Sequence, residues 1–168
     1  MLTFKNVSNR LWDKPILNNI NWSTKLGQSW AIMGPNGAGK TTLAKLILGQ
    51  LPYFGAIKRD EKISNLTEIE LVSLEQQKIL VEREEKKDLY EEYSGNQEHL
   101  LTGSEYMDPE GNNLKATFKI AEQLGIKHLL GNPIRYYSNG ETRKTLIGKA
   151  LLSDPKFLIL DEPFEGLD

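Results

Sequence analysis

An α/β fold built around a phosphate-binding loop is what this sequence predicts, and three observations carry the prediction. The first is Gly34-Pro35-Asn36-Gly37-Ala38-Gly39-Lys40-Thr41, which satisfies G-x-x-x-x-G-K-[ST] at every position. The second is its setting. An apolar run, Ser29-Trp30-Ala31-Ile32-Met33, leads into the loop, and Leu43, Ala44, Leu46, Ile47 and Leu48 follow it at helical spacing. The third is Phe157-Leu158-Ile159-Leu160, a short apolar run of buried-strand type that ends in Asp161-Glu162.

The remaining elements are read in chain order. Leu2 to Val7 alternates apolar and polar, as a half-buried strand does. Asp13-Lys14-Pro15 reads as a turn, and Ile16 to Lys25 alternates again through Ile20 and Trp22. Gly27-Gln28 ends that strand, and Ser29 to Met33 is expected as the next. Gly49 stands where the helix after the loop would be capped. A turn is expected around Pro52 and Gly55, followed by a mixed stretch. Glu70-Leu71-Val72-Ser73-Leu74 reads as a strand ending at Glu75-Gln76-Gln77. Glu82 to Glu92 is highly charged and helix-favouring, the composition of a solvated helix face. Residues 93–113 carry Gly95, Gly103, Pro109 and Gly111 among polar residues and read as a mobile loop. Residues 115–130 read as helical. Ser138 is placed to cap a helix from about Glu141 to Leu152, with Glu141 at the third position of a capping box. Asp154-Pro155 breaks it.

Composition removes several classes of function. At 168 residues the chain is about one domain. Lys and Arg number 21 against 23 Asp and Glu, a net charge of -2, and the pI is near 5.8. Nucleic acid is therefore not indicated as a partner, since such binders carry a basic face and a pI above about 9. Hydrophobic residues at 39% supply enough material for a core. With no Cys there are no disulfides, thiolate metal sites or Cys nucleophiles. His99 and His128 lie too far apart in sequence to read as a metal pair. The start has no signal-peptide stretch, and no apolar run approaches the roughly 18 residues of a membrane span. The expectation is a cytoplasmic chain that could associate with a membrane through a partner.

The residue types explain the chemistry of the loop. Glycines let the backbone wrap phosphates with inward amides, and the following helix N-terminus adds a favourable dipole. Lys40 is placed for the β- and γ-phosphates, the Thr41 hydroxyl for Mg²⁺ and Thr42 for phosphate. A strand end beside such a loop is where an open α/β sheet binds ligand. Asp161 is placed to hold Mg²⁺ through water, and Glu162 to polarise the attacking water as general base.

Tyr137-Ser138-Asn139-Gly140-Glu141, ahead of a basic helix, resembles the Leu-Ser-Gly-Gly-Gln signature of ABC-type ATPases. Asp161-Glu162-Pro163 and Glu165-Gly166-Leu167-Asp168 resemble that family's Walker B segment and D-loop, in the family's order. The resemblance implies a P-loop core of ABC type with an N-terminal antiparallel β portion and a helical subdomain. It divides the chain into a core of residues 1–76 and 136–168 and a helical subdomain of 77–135. ATP and Mg²⁺ are the implied cofactors. Gln76 would be the Q-loop residue that contacts Mg²⁺ and the attacking water, with Gln77 as the competing register. Ser138 and the amide of Gly140 would cap the γ-phosphate held by a second cassette, so the active unit holds two cassettes head to tail, the second on the same chain of the full protein or in a homodimer. Leu11 or Trp12 falls where the family stacks an aromatic on adenine, and Trp12 is the candidate.

Departures from the pattern are Asn139 in place of Gly and Glu141 in place of Gln. The family's switch histidine and remaining strands would lie after Asp168, so the chain is expected to be a C-terminally truncated cassette. The segments Ser138–Leu146, Asp161–Asp168 and Ser73–Gln77 are similar to tandem-cassette ATPases of the photorepair (PhrA) and ModF-like molybdate type. The leading expectation is therefore the first cassette of a twin-cassette ATPase, hydrolysing weakly or not at all as an isolated segment. The alternatives are the ATPase subunit of an importer working with a membrane permease for an oxyanion such as molybdate, and an ATP-switched DNA-repair or regulatory protein.

Overall fold

Inward-facing residues of the first strand set the frame. The computed structural model describes residues 2–25, 27–59, 68–94 and 99–163, without the side chains of 88–94. In β1 (Leu2–Leu11) the side chains of Leu2, Phe4 and Val7 are buried. β2 (Lys14–Thr24) and β3 (Phe54–Arg59) pair with β1 antiparallel on either side, in the order β2-β1-β3. The β1/β2 register shifts on both sides of Val7. Asn6 (φ 50°) and Asn19 (φ 52°) take the left-handed backbone there, which Asn tolerates better than most residues. Their N–H groups donate to Asn21 Oδ1 at 3.0 Å and Ser8 Oγ at 2.9 Å.

Helix α1 (Lys40–Ile47) lays Leu43, Ala44, Leu46 and Ile47 on the buried side. These side chains, Ala44 apart, join Leu2, Phe4, Val7, Leu17 and Ile69 in one apolar core, with Phe157 and Ile159 packed against it. β4 (Ile69–Val72) and β5 (Phe157–Leu160) form a separate two-stranded sheet. The strand β5 ends where Asp161 begins, and the N–H of Lys156 donates to Glu68 O at 2.9 Å just ahead of it.

The described residues cluster into two compact units. One runs to Leu71 and takes in Lys156–Asp161; the other holds Val72–Pro155 and continues from Glu162. The second unit is helical: α2 (Leu74–Ser94), α3 (Gly103–Met107), α4 (Leu114–Gln123) and α5 (Asn139–Leu152). Met107, Ala121, Ile126 and Leu130 form its core, with Ile120, Leu124, Leu129 and Leu152 against them.

Several sequence expectations need correction. Ser29 to Met33 is not a strand: it has no strand assignment, and Trp30 (54%), Ile32 (47%) and Met33 (90%) are exposed. An apolar run becomes a strand only when a neighbour takes up its backbone N–H and C=O groups, and no named strand pairs with it among the described residues. β3 was hidden by Gly55 and the preceding Pro52. Part of 93–113 is ordered, because Thr102 and Glu105 form a capping box that starts α3. The helix expected over 115–130 stops at Gln123, where Gly125 (φ 72°) turns the chain, and resumes only as a 3-10 turn at Lys127–Leu129. Within the charged helix α2, Glu84 is buried rather than solvated and accepts a 2.9 Å bond from Lys87 Nζ.

Leu46 is fully buried between α1 and the antiparallel sheet. Leu46→Ala is expected to lower stability by about 2–5 kcal/mol in urea denaturation. A loss under about 1 kcal/mol would mean the core can collapse around the site.

Candidate functional site

The loop between Gly34 and Gly39 turns back on itself before α1. The N–H of Ala38 donates to Pro35 O at 3.1 Å, and Gly37 (φ 82°) and Gly39 (φ 90°) take the left-handed backbone. Gly39 is the start residue of α1, and a Cβ there would lie 2.8 Å from Leu17 Cδ2 and 3.3 Å from Ile16 Cγ2. Both the dihedral and the close approach to β2 therefore require glycine. No side chain caps α1 and no acidic residue occupies its first turn. Its first N–H donors and the positive end of its dipole are available to an anion.

Lys40 Nζ donates to Gly34 O at 3.0 Å and Pro35 O at 3.1 Å, which holds the ammonium against the loop's own backbone. Thr41 is exposed and Thr42 half-buried in the first turn of the helix. Trp12 sits in the β1–β2 turn with φ 54° and is 91% exposed, and Leu11 beside it is also exposed. Asp161 is half-buried directly after β5. Glu162 follows with φ 54°, a conformation that costs a residue with a Cβ roughly 1–2 kcal/mol. Among the described residues no group of three or more His, Asp or Glu side chains could by itself hold a metal ion. A Mg²⁺ bound through one carboxylate, a hydroxyl and nucleotide phosphates does not need such a group. A tight glycine turn, an uncapped helix start and a hydroxyl at Thr41 suit a Mg-nucleotide.

The Gln76/Gln77 pair resolves into two different engagements. Gln76 Oε1 accepts the N–H of Ser73 at 3.1 Å while the N–H of Gln76 donates to Ser73 Oγ at 3.2 Å, a capping box that starts α2. Gln77 is buried, and its Nε2 donates to Asn139 O at 3.0 Å.

Helix α5 begins as its sequence predicts. Ser138 is the N-cap, its Oγ accepts the N–H of Glu141 at 3.3 Å, and Glu141 Oε2 accepts the N–H of Ser138 at 2.7 Å. The Ser138 hydroxyl also donates to Glu141 Oε2 at 2.8 Å. The Ser138 N–H, then its hydroxyl, hold the Glu141 carboxyl below its ordinary value. Ahead of the cap, the Tyr137 hydroxyl donates to Leu129 O, and burial, with the Glu141 charge adding, pushes its pKa up to about 12. Asn139 is exposed and Gly140 half-buried in the first turn. The D-loop-like residues Glu165 to Asp168 lie outside the described residues.

Two contacts were not foreseen from sequence. One is the Gln77–Asn139 bond; the other joins Arg143 to Glu162, with the guanidinium Nη2 donating to the Glu162 carbonyl at 2.6 Å. Arg143 lies on a buried helix face with Thr142, Thr145 and Leu146. A cation inside an otherwise uncharged stripe was the only available sign.

The cap makes a pH-dependent prediction. A carboxyl with a lowered folded-state pKa adds stability that is present above its unfolded value, 4.5 here, and is lost as pH falls through the folded value. Ser138→Ala should cost about 1 kcal/mol in denaturant unfolding at neutral pH. Glu141→Gln should lose its deficit relative to the parent as pH drops below 4.5. A deficit that grows on acidification would contradict the capping role.

Comparison with known proteins follows the same features. The family described as ABC transporter matches residues 17–165. The ABC transporter ATP-binding protein ModF of Escherichia coli is 38% identical over 160 residues, covering 95% of this chain and 32% of ModF. The zinc import ATP-binding protein ZnuC of Photorhabdus laumondii is 30% identical, covering all of this chain and 58% of ZnuC. This chain thus spans between about a third and three fifths of the length of those two relatives. The structure of cbiO1 from Clostridium perfringens, described as part of the ABC transporter complex cbiONQ, superposes with a TM-score of 0.73 at 27% identity, over 99% of this chain and 67% of that one. With its phosphate loop, its acidic strand end and the capped start of α5 inside the matched span, the chain belongs to the ABC transporter ATP-binding family.

Proposed function

We propose that this chain binds Mg-ATP and hydrolyses it as one cassette of a twin-cassette ATPase, paired head to tail with a second cassette. The observation that carries the reading is the Gly39–Lys40 start of α1, a left-handed glycine followed by a lysine on a helix with no side-chain cap. Phosphate oxygens offer Lys40 Nζ stronger, charge-assisted partners than the two carbonyls it now contacts. Mg²⁺ would neutralise phosphate charge and would be held by Thr41, Asp161 and Gln76. Trp12 offers an exposed indole face to adenine. Glu162 takes a proton from the water that attacks the γ-phosphate. Ser138, Asn139, Gly140 and Glu141 face the nucleotide of the second cassette, with the Ser138 hydroxyl and Gly140 amide as donors. Residues 1–76 and 136–168 serve as the nucleotide-binding core and 77–135 as the helical subdomain. The matched part of ModF is 32% of its length, which leaves room in that relative for a second cassette.

A second reading makes the chain an ATPase subunit that drives a membrane permease. It is favoured by the transport proteins among its relatives, ZnuC and cbiO1. No helix among the described residues is long and apolar enough to cross a membrane. In either reading the cassette works on the cytoplasmic side, and co-purification with a membrane protein separates the two. The molybdate-like cargo belongs to this second reading.

Glu162→Gln in the full natural protein should reduce ATP hydrolysis by at least about 100-fold, while Mg-ATP affinity stays within about threefold. Retained hydrolysis would remove Glu162 from the role of base.

A further inference from the structure

We propose that Arg143 is the positioning residue for Glu162, holding the general base from the helix that begins at Ser138. The inference rests on the reading of Glu162 as base. Arg143 is 2% exposed, and its Nη2 donates to the Glu162 carbonyl at 2.6 Å. A buried guanidinium is costly unless its environment satisfies it, so its bond to one particular carbonyl carries information.

That carbonyl belongs to an unusual residue. Glu162 has φ 54° and precedes Pro163, whose ring disfavours the right-handed helical region for the residue before it. β5 ends at Leu160, two residues before Glu162. The planar Arg143 guanidinium supplies a rigid donor to that carbonyl. Fixing the carbonyl fixes the peptide plane and thereby the direction in which the Glu162 Cβ leaves the backbone.

The same helix links two jobs. α5 starts at the Ser138 cap, the segment proposed above to face a second cassette's nucleotide, and Arg143 lies just over one turn further on. A shift of α5 on cassette closure would move the clamp on Glu162. The base would then be aligned only when the signature-like segment is engaged, which ties one site's chemistry to the other's occupancy.

The test is a double-mutant cycle in the full natural protein: Arg143→Lys, Arg143→Gln, Glu162→Gln and the combinations. Folding is followed by circular dichroism, and kcat and KM for Mg-ATP are measured for each. The single Arg143 variants should lose about 10-fold or more in kcat with KM changed less than about threefold, as misplacement of a reacting group predicts. Neither should lower the residual rate further in the Glu162→Gln background. Unchanged kcat in folded Arg143 variants, or an undiminished additive loss in the Glu162→Gln background, overturns the assignment. So does failure of both variants to fold, which would make Arg143 a folding residue. If Glu162→Gln alone keeps full activity, the base reading itself fails, and the positioning role with it.

Discussion

The left-handed turn at Gly39 is the constraint on which the rest depends. It lets the chain leave the loop and enter α1 while pressed against Leu17 and Ile16 of β2. From that start, α1 delivers Leu43, Leu46 and Ile47 to the core that also buries Leu2, Phe4 and Val7. One backbone conformation thus anchors the helix to the antiparallel sheet and aims its N-terminus at the loop. A Cβ at Gly39 would disturb packing and anion binding together, because the same approach serves both.

Three of the described helix starts carry a side-chain cap, and those of α1 and α4 do not. α2, α3 and α5 each begin with a Ser or Thr and a Glu or Gln three residues on, at Ser73/Gln76, Thr102/Glu105 and Ser138/Glu141. Those side chains take up the first backbone donors. α1 begins on a bare glycine, and its donors remain for a ligand. Two of the capped starts hold residues with proposed roles in hydrolysis, Gln76 and Ser138.

Much of this was legible in the sequence where side-chain chemistry is local. The loop pattern, the Ser138/Glu141 box and the Asp161-Glu162 strand end depend on residues within a few positions of one another, and each lies where expected. The failures share a cause. Ser29 to Met33 reads as a strand from apolarity alone, yet strand formation is decided by neighbours distant in sequence. The Gln77–Asn139 and Arg143–Glu162 bonds span 62 and 19 residues, beyond the reach of any spacing rule. β3 carries a glycine and follows a proline, so composition argued for a turn where long-range pairing with β1 prevailed.

A working phosphate site at the Gly39–Lys40 turn can be measured by calorimetric titration of Mg-ATP into the protein and its Lys40→Ala variant. Saturable binding to the parent is expected, weakened at least about 10-fold in the variant through loss of a charge-assisted contact. Equal binding by the two proteins, or none by the parent, would contradict a phosphate site there.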